Sequence, residues 1–252
     1  MKNILSKKQI ERYSRQIILK NIGAIGQQKI LKSKVLIVGI GGLGCPVADV
    51  LCRAGVGTIG IVDNDKVSLS NIHRQSFFTS KDIGKFKVKI LKERIKLINP
   101  EIKTVIFKEK ITNFNIKKIL KNFDIIVDGS DNFKTKFLLN EYSLKYKKIL
   151  IVGAISKFDG HIFSFNFNKR RTSCLKCFYQ TEITDEFLDC ESEGVLGPIA
   201  GIVGNIQANE VIKKILKLDN SLDNSILIIN LLTLNFRKVK FLKKKNCVCK
   251  RK

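Results

Sequence analysis

Short unbroken apolar runs alternate with longer stretches of helical periodicity over the first 155 or so residues. "KVLIVG" (34–39), "TIGIVD" (58–63), "FDIIVDG" (123–129) and "KILIVGA" (148–154) have the continuous apolar character that a strand buried on both faces requires, with "IKTVIF" (102–107) as a weaker fifth. Residues 43–54, 85–99, 114–121 and 132–146 are helical in pattern, and "KKQIERYSRQIIL" (7–19) predicts a helix ahead of the first strand. Buried strands separated by such helices need crossovers that return over a sheet face, so the pattern predicts a doubly wound, mostly parallel α/β sheet.

After Gly153 the pattern changes. "KFDGHIFSFNF" (157–167) alternates like an antiparallel strand, and "GPIAGIVGNIQANEVIKKILKL" (197–218) predicts a long helix opened by Gly197 and Pro198. "NSILIIN" and "NFRKVKFL" end the chain as two more antiparallel strands. No internal repeat or Pro/Gly-rich linker interrupts the sequence, so residues 1–252 are expected to form a single domain.

Length and composition narrow the class. A chain of 252 residues with 44% hydrophobic content can bury a substantial core. The longest apolar candidate for a membrane span, "SILIINLLTLNF" (225–236), is broken by Asn230 and Asn235, and no secretory leader is recognisable, so a soluble cytoplasmic protein is expected. The formal charge of +25 raises nucleic acid, a membrane surface or an acidic protein as partners. The excess is mostly Lys spread along the chain, with one compact basic block, "KKKNCVCKRK", at the C-terminus. A solvated surface shaped by codon drift accounts for that distribution, and nucleic acid is not the expected main partner.

Gly39, Gly41 and Gly44 form G-x-G-x-x-G between a strand and a helix, where backbone N–H groups and a helix N-terminus approach phosphate. Asp63 ends the next strand about twenty residues on, placed to accept bonds from a ribose. The sheet is therefore Rossmann-like, with a nucleotide-binding half at about 30–155 and an antiparallel, cysteine-bearing half at about 156–252. An NAD-dependent oxidoreductase is the first reading of such a loop, but the fingerprint reports only ribose and phosphates. His73 and His161 have no recognisable catalytic partner, and no Tyr-x-x-x-Lys follows a suitable strand.

The loop "VDNDKVSLSNIHRQSFF" (62–78) adds Asp65, Ser70, Asn71 and Arg74 at the carboxyl edge of the sheet, where open α/β sheets bind ligands. Lys87, read as one or two turns into the following helix, and Arg15 in the N-terminal helix supply more positive charge. Several donors suit a triphosphate better than the pyrophosphate bridge of NAD. In "DGSDNFKTK" (128–136), Asp128 and Asp131 are separated by small residues, which lets a carboxylate approach a polyphosphate and hold a divalent cation; alternatively Asp131 caps the helix that begins near Asn132.

"RYSRQIIL", "GIGGLG", "AGVGTIGIVDNDKVSLSNIHRQ", "DGSDN", "CLKC" and "GVLGPIAGIVGNIQANEVIK", in this order, resemble the ThiF/MoeB/HesA family of ubiquitin-activating-enzyme-like adenylyltransferases. The resemblance runs from about residue 11 to the C-terminus, and at this length no rhodanese domain of the kind some relatives carry is expected. It implies a homodimer that uses ATP and Mg to adenylate the C-terminal Gly-Gly carboxylate of a small sulfur-carrier protein, MoaD-like or ThiS-like, in molybdopterin or thiamine biosynthesis. By motif position, Gly42 and the glycine loop approach ATP, Asp63 holds the ribose, and Asn71, Arg74 and Lys87 contact phosphates. Asp65, Ser70 and Asn132 join them at the nucleotide, Asp131 binds Mg, and Arg15 reaches the site from the partner subunit. Such chemistry needs no general base, because the attacking carboxylate is already ionised at neutral pH. The alternatives are a tRNA-modifying adenylating enzyme of the same superfamily, which the charge favours, and a non-catalytic binding partner, which the full set of site residues argues against.

The cysteines divide into groups. Cys45 and Cys52 lie in an apolar stretch and read as core. Cys174 and Cys177 have the C-x-x-C spacing of a zinc knuckle. The family resemblance implies a second C-x-x-C near the C-terminus, but here Cys247 and Cys249 are only two apart, which leaves completion of a structural zinc site open. Cys190 matches a family position associated with sulfur transfer, although Asp189, Glu191 and Glu193 disfavour a thiolate there.

Overall fold

The computed structural model describes residues 5–169, 172–179, 194–219, 222–245, 247 and 249. Helix α1 (Lys7–Ile17) is opened by a capping box in which Ser6 and Gln9 exchange side-chain bonds to each other's backbone N–H. Helix α2 (Gly23–Lys32) follows. Its buried positions include Gly26 and Gln27, so apolar periodicity marks it only weakly.

Strands β1 (Lys34–Val38), β2 (Thr58–Val62), β3 (Lys103–Phe107), β4 (Ile125–Asp128) and β5 (Ile149–Ser156) are parallel. They are joined by α3 (Gly44–Ala54), α4 (Lys87–Ile98), α5 (Ile116–Leu120) and α6 (Phe133–Lys145). β6 (Asp159–Asn166), β7 (Ser225–Asn230) and β8 (Asn235–Lys240) then continue the same sheet antiparallel, in the order β3-β2-β1-β4-β5-β6-β7-β8. A single turn, α7 (Leu175–Phe178), and the long α8 (Gly197–Leu216) complete the fold. The fold is thus α/β with a parallel core and an antiparallel extension, as the apolar pattern predicts.

Strand alternation divides the core into two layers. Val35, Ile37, Ile59, Ile61, Val127 and Ile151 pack beneath α2, α3, α4 and α8, while Leu36, Val38, Ile126, Leu150, Phe163 and Phe165 face α5, α6 and α7. α8 crosses α3 closely because Gly204 has no side chain: a Cβ there would lie 2.4 Å from Pro46 Cγ. From the same helix, buried Gln207 donates from Nε2 to the Asp128 carbonyl at 2.8 Å, tying α8 to the end of β4. Among the described residues, no helix is long and apolar enough to cross a membrane.

Candidate active site

The strand order reverses between β1 and β4, so their crossovers leave in opposite directions and a crevice opens above their carboxyl ends. A cavity of about 440 Å³ lies there. The glycine loop, the loop after β2, the segment after β3 and the turn after β4 surround it.

The glycines of the loop divide the work. Gly39 has φ +85°, and a Cβ on it would lie 2.8 Å from the Gly129 carbonyl oxygen; on Gly44 it would lie 2.0 Å from the Gly39 carbonyl oxygen. These two positions need glycine so that the loop can turn tightly against β4 and enter α3. Gly39, Gly41 and Gly42 line the cavity, whereas Gly44, also expected to contact the nucleotide, does not. Its role here is packing.

Asp63 holds the loop in place. Its Oδ2 accepts from the Ile40 N–H and its Oδ1 from the Asp65 N–H, both at 2.7 Å. Burial raises the Asp63 pKa above the ordinary carboxylate value, and those two N–H bonds and Lys87 work in the opposite direction. Each carboxylate oxygen retains a second acceptor position.

Lys87 is the first residue of α4, not one or two turns inside it, because Phe86 is the N-cap. Its Nζ is buried and 3.1 Å from Asp65 Oδ2 on the cavity wall. The half-buried Arg74 donates from Nη1 to the Ser70 carbonyl at 2.9 Å and lies 2.7 Å from His73 Nε2. Ser70 and Asn71 line the same wall.

The turn after β4 departs from expectation. Asp128 is fully buried, and its Oδ1 accepts the Ser130 N–H (2.9 Å) and hydroxyl (2.6 Å), while Lys136 Nζ stands 3.4 Å from Oδ2. It therefore offers no open carboxylate to a cation. Asp131 is exposed and lines the cavity, with Oδ1 accepting from Asn132 Nδ2 at 3.1 Å. The cap of α6 is Asn132, whose Oδ1 accepts the Thr135 N–H at 2.9 Å, not Asp131. Asp131 is thereby left to face the cavity.

Sequence reasoning passed over Lys66, Gln75, Glu109, Lys110, Thr135 and Lys136, all of which line the cavity. Four of these are charged residues in a chain with 47 Lys and Arg, so identity alone does not separate them from surface. Lys136 had one usable signal: a cation in the first turn of a helix opposes the helix dipole and calls for another reason to be there.

Arg15 is exposed near the end of α1 and does not line this cavity. Cys190 lies outside the described residues. Cys45 and Cys52 are fully buried in the core, and burial pushes both thiols up to about 12.

On the far side of the sheet the structure brings Cys174, Cys177, Cys247 and Cys249 together, all four Sγ atoms lying within 4.8 Å of one another. Separations are 3.9 Å for Cys174–Cys177, 3.5 Å for Cys174–Cys247 and 3.4 Å for Cys177–Cys249. These cysteines are buried among Phe163, Phe165, Leu175 and Phe178, despite the polar sequence around them. Burial raises Cys174 to about 12, with the neighbouring thiols adding to it. At Cys177 burial is outweighed by bonds from the Cys174 and Lys244 backbone, which hold that thiol below its ordinary value.

Residues 13–251 match the ThiF family. The chain is 38% identical over 242 residues to a protein of Gracilaria tenuistipitata var. liui named probable molybdopterin-synthase adenylyltransferase, covering 96% of this chain and 68% of that one. It is 34% identical over 249 residues to the sulfur carrier protein adenylyltransferase of Thermus thermophilus, covering 97% and 92%. Against the adenylyltransferase and sulfurtransferase MOCS3 of Aedes aegypti it is 39% identical and spans only 55% of that protein. The solved structure of Escherichia coli MccB with ATP superimposes with a TM-score of 0.82 at 24% identity over 99% of this chain and 78% of that one, a likeness of fold. A family match over residues 13–251, with relatives 38% and 34% identical over 96% and 97% of this chain, establishes that the chain belongs to the ThiF family.

Proposed function

We infer that this protein is an adenylyltransferase that activates the C-terminal carboxylate of a small sulfur-carrier protein with ATP. The observation that carries the reading is the switch-point cavity, where a glycine loop, an acid at the end of β2, Asn71, Arg74, Lys87 and an open Asp131 converge. The named relatives, molybdopterin-synthase and sulfur carrier protein adenylyltransferases, support the same reaction. They favour the molybdopterin route over thiamine.

The cavity fits ATP. Backbone N–H groups of the glycine loop and the positive end of α3 suit phosphate, and the spare acceptor positions on Asp63 suit ribose hydroxyls. Arg74 and Lys87 supply fixed positive charge on one wall, and Asn71 adds a polar amide beside them. The attacking group is the carrier's ionised carboxylate: one of its oxygens bonds to the α-phosphorus, the bond to the bridging oxygen of the β-phosphate breaks, and pyrophosphate leaves. The protein has only to align the carboxylate and neutralise the charge that builds on the phosphates. Asp131 is the residue that would hold Mg, which supplies further neutralisation at the polyphosphate.

The cysteine cluster fits zinc. Four thiolates around one ion at about 2.3 Å stand roughly 3.8 Å from one another; three of the Sγ pairs here are 3.4 to 3.9 Å apart and all lie within 4.8 Å. The C-x-C tail reaches the knuckle, and zinc there would be held by Cys174, Cys177, Cys247 and Cys249 and would join the tail to α7. Arg15 acts in the neighbouring subunit of a homodimer.

ATP–pyrophosphate exchange tests the reading, with MoaD-like and ThiS-like carriers ending in Gly-Gly beside carriers lacking that terminus. Exchange is expected only with an intact Gly-Gly end and is expected to be lost in Asp131→Ala. Absence of exchange with both carriers, or exchange unchanged in Asp131→Ala, overturns it.

A further inference from the structure

Lys136 has no part in the chemistry just described, yet it is placed where chance does not put a lysine. Its side chain is 3% exposed and that of Asp128 is 0% exposed. It lies in the first turn of α6, where side chains lean back toward the helix N-terminus. From there Nζ donates to the Ser130 carbonyl at 2.6 Å and the Gly153 carbonyl at 2.7 Å, and it approaches Asp128 Oδ2 at 3.4 Å. These acceptors belong to the end of β4, the turn that follows it, and β5.

Stability does not explain this ammonium. A cation at a helix N-terminus opposes the dipole, and a buried ion pair is on average no more stabilising than apolar residues of the same volume. Its effect is local and geometric. Asp128 Oδ1 already holds the Ser130 N–H and hydroxyl, so the carboxylate grips one side of the turn and Lys136 the other. The Gly129 N–H donates to the Val38 carbonyl at 2.8 Å, pressing the same turn against the glycine loop. Asp131 directly follows Ser130 in this turn.

We propose that Lys136 is a positioning residue for adenylation: its ammonium fixes the 128–131 turn so that Asp131 faces the nucleotide, and it neutralises Asp128 so that Asp131 alone of the two acids presents charge to a polyphosphate-bound cation. This rests on the adenylation reading. Without Lys136, Asp128 loses the charge that opposes burial and its carboxyl is pushed further up, so it no longer grips the turn as a carboxylate, and the Ser130 and Gly153 carbonyls lose their shared donor.

The test compares wild type with Lys136→Arg, Lys136→Met and the double variant Asp128→Asn/Lys136→Met. Three measurements are made: the urea midpoint, calorimetric affinity for a non-hydrolysable ATP analogue with Mg or with EDTA, and kcat and KM in pyrophosphate exchange. The double variant removes both buried charges, so no unpaired ion is left; it is expected to stay folded, with a urea midpoint lowered only by the lost donor to the Ser130 and Gly153 carbonyls. It is also expected to lose the Mg-dependent gain in analogue affinity and to turn over about tenfold more slowly or worse, with KM for the carrier unchanged. Lys136→Arg keeps charge and donors but must fit a larger planar group into a buried site, so its Mg-dependent affinity and turnover are expected between those of wild type and the double variant. A stable double variant with wild-type Mg dependence and turnover overturns the proposal and leaves Lys136 as a counter-charge only. Should that variant not fold, Lys136→Gln, which keeps a donor without charge, is read by the same outcomes. If wild type neither binds the analogue nor exchanges pyrophosphate, the adenylation reading falls; if it does both and the variants match it, only the role of Lys136 falls.

Discussion

Within one six-residue loop, glycines that look alike in the sequence carry different loads. Gly44→Ala forces a Cβ to 2.0 Å from the Gly39 carbonyl oxygen, and neither backbone segment is free to move. It is expected to lower the unfolding free energy by about 3 kcal/mol or more, read from the urea midpoint. At Gly41 an added Cβ meets only Gln75 Nε2 at 3.8 Å, an ordinary contact, while intruding on the cavity. Gly41→Ala is therefore expected to keep its urea midpoint and to bind the ATP analogue about tenfold more weakly, as an intruding methyl costs roughly 1–3 kcal/mol. Asp82 sets a pH dependence by a similar local logic. Burial works against its charge, but the Thr79 N–H (2.9 Å) and hydroxyl (2.8 Å) and the Arg94 guanidinium (3.2 Å) prevail and hold its carboxyl below the ordinary value. A lowered folded pKa contributes stability that is fully present above the unfolded value of about 3.9 and lost as pH falls through the folded one. Urea midpoints of Asp82→Asn are thus expected below wild type at pH 7, with the two converging below pH 4. At this scale the sequence was legible where spacing encodes geometry, as for Gly39, Asp63 and Arg74. It was opaque where a residue's partner is distant, as for Lys136 on α6, whose acceptor Gly153 lies seventeen residues away on β5.

The elements of the parallel half were readable because each strand is buried on both faces, which leaves an unbroken apolar run, and each crossover helix has one apolar face. α2 escaped because its buried positions are partly Gly and Gln. The turn α7 and the tail posed another difficulty. Spacing in Cys247 and Cys249 departs from a knuckle, and only the folded path of β8 and the residues after it brings these thiols to Cys174 and Cys177. Zinc at this cluster would lock α7 and the tail to the aromatic layer of Phe163, Phe178 and Phe241, whose ring centroids lie 5.1 to 6.0 Å apart. Purified protein is expected to release one zinc per chain on thiol modification, measured with a chromogenic chelator. Cys177→Ser is expected to lose that zinc and to expose the tail to limited proteolysis while the nucleotide cavity, on the carboxyl edge of the sheet, still binds the ATP analogue. A metal-free wild-type protein with the same protease resistance would remove zinc from the account.

For the whole molecule, the sheet order decides where chemistry occurs. Loops that are some ninety residues apart in sequence, 39–44 and 128–131, meet because β1 and β4 are neighbours, a fact that strand order supplies and residue pattern does not. Arg15 is the counter-case, a site candidate that this fold leaves outside its own cavity. It stands exposed near the end of α1, close in the chain to Ile18 (71% exposed) and Leu19 (54%), with Ile25 (63%) on α2. An apolar group of this kind beside a candidate site cation fits the proposed homodimer, in which a second copy of the chain would cover this face and Arg15 would reach the neighbour's nucleotide. Mixing distinguishes this from an Arg15 that acts within its own subunit. Arg15→Ala and Asp131→Ala are each expected to be nearly inactive alone. In a heterodimer of the two, one site combines an intact Asp131 with an intact Arg15 from across the interface, and the other lacks both. Random re-association of equal amounts makes half the dimers mixed, so exchange activity is expected to recover to about a quarter of wild type. If Arg15 works in its own subunit, every site in the mixture lacks one residue or the other, and no activity returns.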